Sequence, residues 1–155
     1  MGIRTFACGA VGALCLLPLL RCSHRDEQQR ELALDGALRM REAFNSGACQ
    51  SIYEHADGPF RSLQSAEAWL SRCAQMRTEL GDWRRFDAAP QVANATAAPI
   101  VALEGPAAFA NARIRVRALW RVDQGRARLL LLVLMYGHKT LRIPDVYPRP
   151  PIKPV

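Results

Sequence analysis

The stretch ARIRVRALWRVDQGRARLLLLVLMY, residues 112–136, decides the fold. Ala112, Ile114, Val116, Ala118, Trp120 and Val122 alternate with Arg113, Arg115, Arg117, Leu119 and Arg121. That is the two-residue period of a strand with one apolar and one basic face. Asp123, Gln124 and Gly125 form a short turn, so the run from Arg126 to Tyr136 is expected to pair back as an antiparallel hairpin. Leu129 to Met135 is apolar on both faces, which fits a central strand or a surface shared by two copies of the chain.

Working upstream, weaker strands are expected at Trp83 to Phe86, Gln91 to Ala95 and Ile100 to Glu104. Before Gly81 the period becomes helical. Ala33, Ala37, Met40 and Phe44 recur at spacings of four, three and four, and Leu34 and Leu38 widen the stripe. This predicts an amphipathic helix from Asp26 to Asn45, closed near Ser46 and Gly47. A short second helix is expected from Cys49 to Ala56, ended by Asp57, Gly58 and Pro59. Ser65 reads as an N-cap for a third, along which Trp69, Cys73, Met76 and Leu80 repeat before Gly81. The expected class is therefore α+β, three N-terminal helices packed on a curved antiparallel sheet.

Downstream, residues 144–155 hold five prolines in twelve positions and read as an extended tail. At the other end, Thr5 to Leu20 carries no charge, follows Arg4 and is rich in leucine, the pattern of an export signal. Sixteen helical residues rise about 24 Å, short of the roughly 30 Å hydrocarbon core, so a signal suits the run better than a full transmembrane helix. Leu19, Leu20, Arg21 and Cys22 resemble part of a bacterial lipobox. The leucine and Ser23 fit, whereas Arg21 stands where a small residue is usual. The segment 1–22 is thus an export signal, a lipoprotein signal with Cys22 as the lipidated residue, or a retained membrane anchor. Residues 23–143 form the domain, and Ser23 to Gln29 reads as a polar tether with no core to enter. Export to a membrane-associated envelope or periplasmic location is expected in each case.

Net charge is +7 and unevenly placed, with 7 basic against 10 acidic residues from Ser23 to Asp82 and 12 against 4 from Trp83 to Val155. The arginine row of Arg113, Arg115, Arg117 and Arg121, continued by Arg126 and Arg128, is the strongest surface signal. It fits anionic lipid headgroups or an acidic protein partner, or else a solvated outer sheet face. Nucleic acid is set aside because the chain reads as exported. Cys49 and Cys73 are the only cysteines after Cys22, and in an exported domain they read as one disulfide rather than two buried thiols. His24, His55 and His138 have no ligand at metal-binding spacing, so no metal or other cofactor is expected.

Helices followed by a bent antiparallel sheet are the layout of the nuclear transport factor 2-like, or cystatin-like cone, superfamily. Phe44, Asn45, Ser46, Gly47, Ile52, Tyr53, Ala56, Asp57, Phe60, Arg61, Arg77, Leu80 and Gly81 resemble a pattern in small secreted bacterial proteins of that superfamily. The resemblance spans about Arg39 to Leu141. It implies a cone with a pocket between helices and sheet, and no particular reaction. Tyr53, Asp57, Trp69 and Trp120 are the candidate pocket residues. Cone-fold isomerases and dehydratases use acidic, tyrosine and histidine side chains, but Tyr53, His55 and Asp57 lie two apart on a helix and cannot share a face. No catalytic residue is assigned. The leading expectation is a non-catalytic domain that binds a ligand or partner at a membrane. The other reading is a small pocket enzyme of the isomerase, dehydratase or hydrolase type.

Overall fold

A computed structural model describes residues 17–93 and 98–145, with side chains from residue 24 onward. The apolar run up to Leu16, the side chain of Cys22 and the tail beyond Asp145 lie outside the described residues. The chain forms four helices and then six strands: α1 Leu17–Ser46, α2 Cys49–Glu54, α3 Gly58–Leu63, α4 Ala66–Leu80, β1 Trp83–Phe86, β2 Ala89–Ala93, β3 Ile100–Phe109, β4 Arg113–Asp123, β5 Arg126–Tyr136 and β6 Lys139–Ile143. The strands make one curved, open antiparallel sheet in the order β1-β3-β4-β5-β6, with β2 also pairing β3. The α+β class is as expected, with one helix more than the sequence suggests.

The additional helix is α3. Asp57, Gly58 and Pro59 read as a terminator, but Pro59 stands in the first turn of α3, after an extended Asp57. Proline suits that place because its fixed φ is helical and its missing N–H has no partner to lose there. The expected caps of α4 are present: Ser65 Oγ accepts from Ala68 N at 3.2 Å, and Gly81 closes the helix at φ 73°.

The first helix departs further from expectation. It is already helical at Leu17, the first described residue, rather than only from Asp26, and runs unbroken to Ser46. From Leu19 to Asp35 it contains neither proline nor glycine, so nothing in that stretch interrupts the helix. Gln29, assigned by sequence to a free tether, is buried. The buried face consists of Gln29, Ala33, Gly36, Ala37, Met40 and Phe44. Leu34 and Leu38 do not widen it, since they are 42% and 43% exposed. The reason is the closeness of the helix to the sheet: a methyl group at Gly36 would lie 3.0 Å from the Trp120 ring and 3.2 Å from Ala127 Cβ. Small residues form the seam, and the leucines a third of a turn away are carried outward. At its other end α1 is tied to β1, where Asn45 Nδ2 donates to Trp83 O and Asn45 Oδ1 accepts from Trp83 N at 2.8 Å.

Strand alternation places Ile114, Val116, Ala118, Trp120 and Val122 in the core, while Arg113, Arg115 and Arg117 face solvent. The two-residue turn uses Gln124 and Gly125, both at positive φ. Strand β3 runs past the expected Glu104 to Phe109, through Gly105 and Pro106. Beside them the edge chain bends between β1 and β2, bringing Asp87 O so close that a Cβ on Gly105 would lie 1.9 Å from it. Only glycine allows that approach. A disulfide joins Cys49 of α2 to Cys73 of α4, with Cα atoms 6.3 Å apart. In the chain-entropy account, closing a loop of that length contributes about 3 kcal/mol.

Candidate functional site: a groove beside the start of a strand

The space between helices and sheet is filled. What remains open there is about 10 Å³, lined by Met40, Phe44, Ile52, Trp69, Met76, Leu80, Trp83, Phe109, Leu132 and Leu134. That is room for about one water, and the lining offers it no polar partner. Phe44, Trp83 and Phe109 pack ring to ring at one end, with Trp83 stacked on Phe109 at 5.1 Å.

The large opening lies elsewhere. A groove of about 760 Å³ runs between α1, the α2–α3 corner and the start of β5. Helix α1 supplies Leu32, Asp35, Gly36, Arg39, Met40 and Ala43. The corner supplies Ser51, Ile52, Glu54, His55, Ala56 and Arg61, while Trp120 and Gly125 to Leu129 complete it. Its volume is that of a ligand site.

Several of its polar groups are already engaged. Asp35 and Arg39, one turn apart on α1, form an ion pair. Gln50 Nε2 donates to Glu54 Oε1 at 2.9 Å. His55 is held by its own helix, its Nδ1 2.8 Å from Ser51 O. By contrast, no described carboxylate lies within ion-pairing distance of Arg61, Arg126 or Arg128. The groove is therefore bordered by three guanidinium groups without a described carboxylate partner, Arg126 and Arg128 on the strand face opposite Ala127, and by the Glu54 carboxylate, which no described cation pairs.

The six arginines expected to form one surface separate into three settings. Arg113, Arg115 and Arg117 lie on the outer sheet face, where Arg115 Nε is 3.0 Å and Arg117 Nε 3.7 Å from the two oxygens of Glu104. Arg121 reaches the buried Asp57, Nε to Oδ2 at 2.9 Å. These two atoms make an ion pair without the alignment of a hydrogen bond. Arg126 and Arg128 border the groove.

The four candidate pocket residues are likewise not gathered in one place. Trp69 is in the core, donating from Nε1 to Cys49 O at 2.6 Å. Tyr53 donates to Gln64 O at 3.1 Å and supports the α3 turn. Asp57 joins the helical layer to the sheet through Arg121 and through its backbone N, which donates to Leu129 O at 2.9 Å. Trp120 alone lines the groove. In the sequence Asp35 and Arg39 carry no site signal and Arg61 enters only through the family resemblance, because all three are ordinary solvated helix residues until β5 is brought beside them.

Fold and groove together define an α+β domain with a closed apolar core and a basic cleft at one strand. No protein-family model matches this chain, and no curated protein matches it in sequence. Among the described residues no helix is long and apolar enough to cross a membrane, and no cluster of potential metal ligands is present.

Proposed function

We propose that this is an exported protein, held at a membrane through its N-terminal segment, whose domain binds an anionic partner or ligand without transforming it. The observation that carries the proposal is the contrast in polarity: a groove of about 760 Å³ is bordered by three arginines without a described carboxylate partner, while the space between helices and sheet is closed and apolar. Enzymes of the isomerase or dehydratase kind need convergent ionisable groups in a sheltered cavity, and that would be the place for them. Helices followed by a curved antiparallel sheet support kinship with the nuclear transport factor 2-like superfamily. The apolar run before Arg21 supports export, and Cys22 followed by Ser23 supports lipid attachment at that cysteine.

The test is fractionation of the full-length protein and its Cys22→Ser variant. Release of the variant alone into the soluble fraction supports lipid attachment. Retention of both supports an uncleaved anchor. Recovery of both as soluble, folded protein would end the tethering half of the proposal.

A further inference from the structure

Strand β6 ends the sheet on one side, with β5 as its one described neighbour. Tyr136 and Lys139 are paired across the turn at Gly137 and His138, and Leu134 with Leu141 and Leu132 with Ile143 follow in step. In a two-residue hairpin the flanking pair exchanges main-chain bonds, and along an antiparallel ladder alternate residues point in opposite directions. Lys139, Leu141 and Ile143 therefore turn their main-chain groups toward β5, and Thr140 and Arg142 turn theirs away. Both of these residues are exposed, and no described main-chain group bonds them on that side. Up to Asp145 the chain does not return along this edge, because Pro144 is buried and Asp145 is held 3.1 Å from Arg72 Nη2 on α4.

The inner side of the same edge carries a pocket of about 190 Å³ between α4 and the sheet, with Met76, Leu80, Leu134, Tyr136 and Leu141 in its lining. Leu141 is its outermost sheet residue, since β6 is the last strand. A residue placed opposite Leu141 on a further strand would stand roughly 5 Å from it on the same face, next to the pocket. Charges on this side balance. Arg72 is taken by Asp145, while Glu79, which accepts from Gln75 Nε2 at 2.8 Å, shares the face with Lys139, the cross-strand partner of Tyr136. The outer side is basic. Arg142 lies there opposite Val133, with Arg117 beyond it, and no described carboxylate is within ion-pairing distance of Arg142.

We propose that the β6 edge, independently of the groove, takes an extended segment of a partner protein as an added antiparallel strand. An apolar residue of that segment enters the pocket under α4, and an acidic residue stands beside Arg142. Strand addition derives its affinity from main-chain bonds and its selectivity from alternate side chains, and both components are present: Thr140 and Arg142 offer the bonds, and the two unlike faces offer the selection. Charge complementarity argues for this occupant. Lys139 and Arg142 deter a basic edge, that of a second copy of this chain included, whereas an acidic strand meets no such barrier.

The experiment uses full-length protein in detergent and a fluorophore-labelled seven-residue peptide alternating glutamate and leucine. Expected results are saturable binding and slowed amide exchange at Thr140 and Arg142. The peptide residues opposite Thr140 and Arg142 lie on the outer face, so they are the glutamates, and theirs are the nitrogens that bond β6. Methylating the glutamate nitrogens should weaken binding at least tenfold, and methylating the leucine nitrogens less than threefold, changes that leave the protein untouched. Arg142→Ala and the pocket-filling Gln75→Trp should each weaken binding at least fivefold, whereas Arg126→Ala/Arg128→Ala should stay within twofold. An equal response to the two methylations, or a loss that follows the leucine set, would overturn the proposal. If the loss follows Arg126 and Arg128 instead, the edge is wrong and the binding-module reading of the groove survives. If the protein alone forms dimers that Thr140→Pro dissolves, the edge belongs to a second copy and the proposal fails. Absence of peptide binding also overturns it, without touching the groove, which shares none of these residues.

Discussion

The two halves of β5 differ in composition, Arg-Ala-Arg-Leu at Arg126–Leu129 against Leu-Val-Leu at Leu132–Leu134, and do different work. From Leu132 to Leu134 the strand is flanked by β4 and β6, and each side chain is buried. From Arg126 to Leu129 it has β4 on one side and a single bond from Asp57 on the other. The difference comes from where the neighbouring strand ends, since Pro144 cannot continue the ladder. One strand thus serves as foundation at one end and as a rim at the other.

Substitution should separate the halves. Leu134→Ala, in the closed half, should cost about 2–5 kcal/mol in denaturant unfolding. Arg128→Ala, in the open half, should change stability by no more than about 0.5 kcal/mol. Similar costs for the two would mean that the open half is also part of the foundation. The paired change Cys49→Ala/Cys73→Ala should cost about 3 kcal/mol and loosen α2, one wall of the groove, measured as faster amide exchange in Ile52 to His55. Asp57→Asn should cost about 1–3 kcal/mol, because Asp57 is buried while Arg121 remains partly hydrated. Its sharper readout is the exchange rate at the α2–α3 corner. A small effect, under about 1 kcal/mol, is also expected for Ala127→Pro: Ala127 stands two residues before Leu129, whose O accepts from Asp57 N, so its N–H is turned away from β4. A collapse of folding in that variant would show that Ala127 points into the ladder.

The fold was largely legible because its signals are local. Alternation from Ala112 to Val122 oriented β4 residue by residue, and Ser65 and Gly81 bounded α4. Misreadings arose where a local signal has two meanings. Pro59 opens a helix as readily as it closes one, and Gly105 with Pro106 looked like the end of β3 when it marks a close approach by the edge chain. Strand β6 was missed because Lys139 to Ile143 has weak alternation and a single fully buried side chain, Ile143. The groove was not legible, because its walls come from segments as far apart as Leu32 and Leu129. The arginine row was visible, but its division among Glu104, Asp57 and the cleft depends on tertiary neighbours alone.

The unbroken course of α1 gives the protein a fixed azimuth. Should the apolar run ending at Leu20 be retained and seated in a membrane, the outcome opposite to cleavage and lipid attachment at Cys22, the nine residues from there to Gln29 would rise about 13 Å and turn through two and a half revolutions. A helix transmits rotation as faithfully as distance, so the compass direction in which the groove opens is set by residue count. One alanine inserted after Gln28 should lift the domain by only about 1.5 Å yet swing the groove by about 100°, whereas four should return it close to its original heading. A partner anchored in the same membrane would feel that phase. Its engagement should fall and recover with insertion length, where a flexible linker would give a flat response.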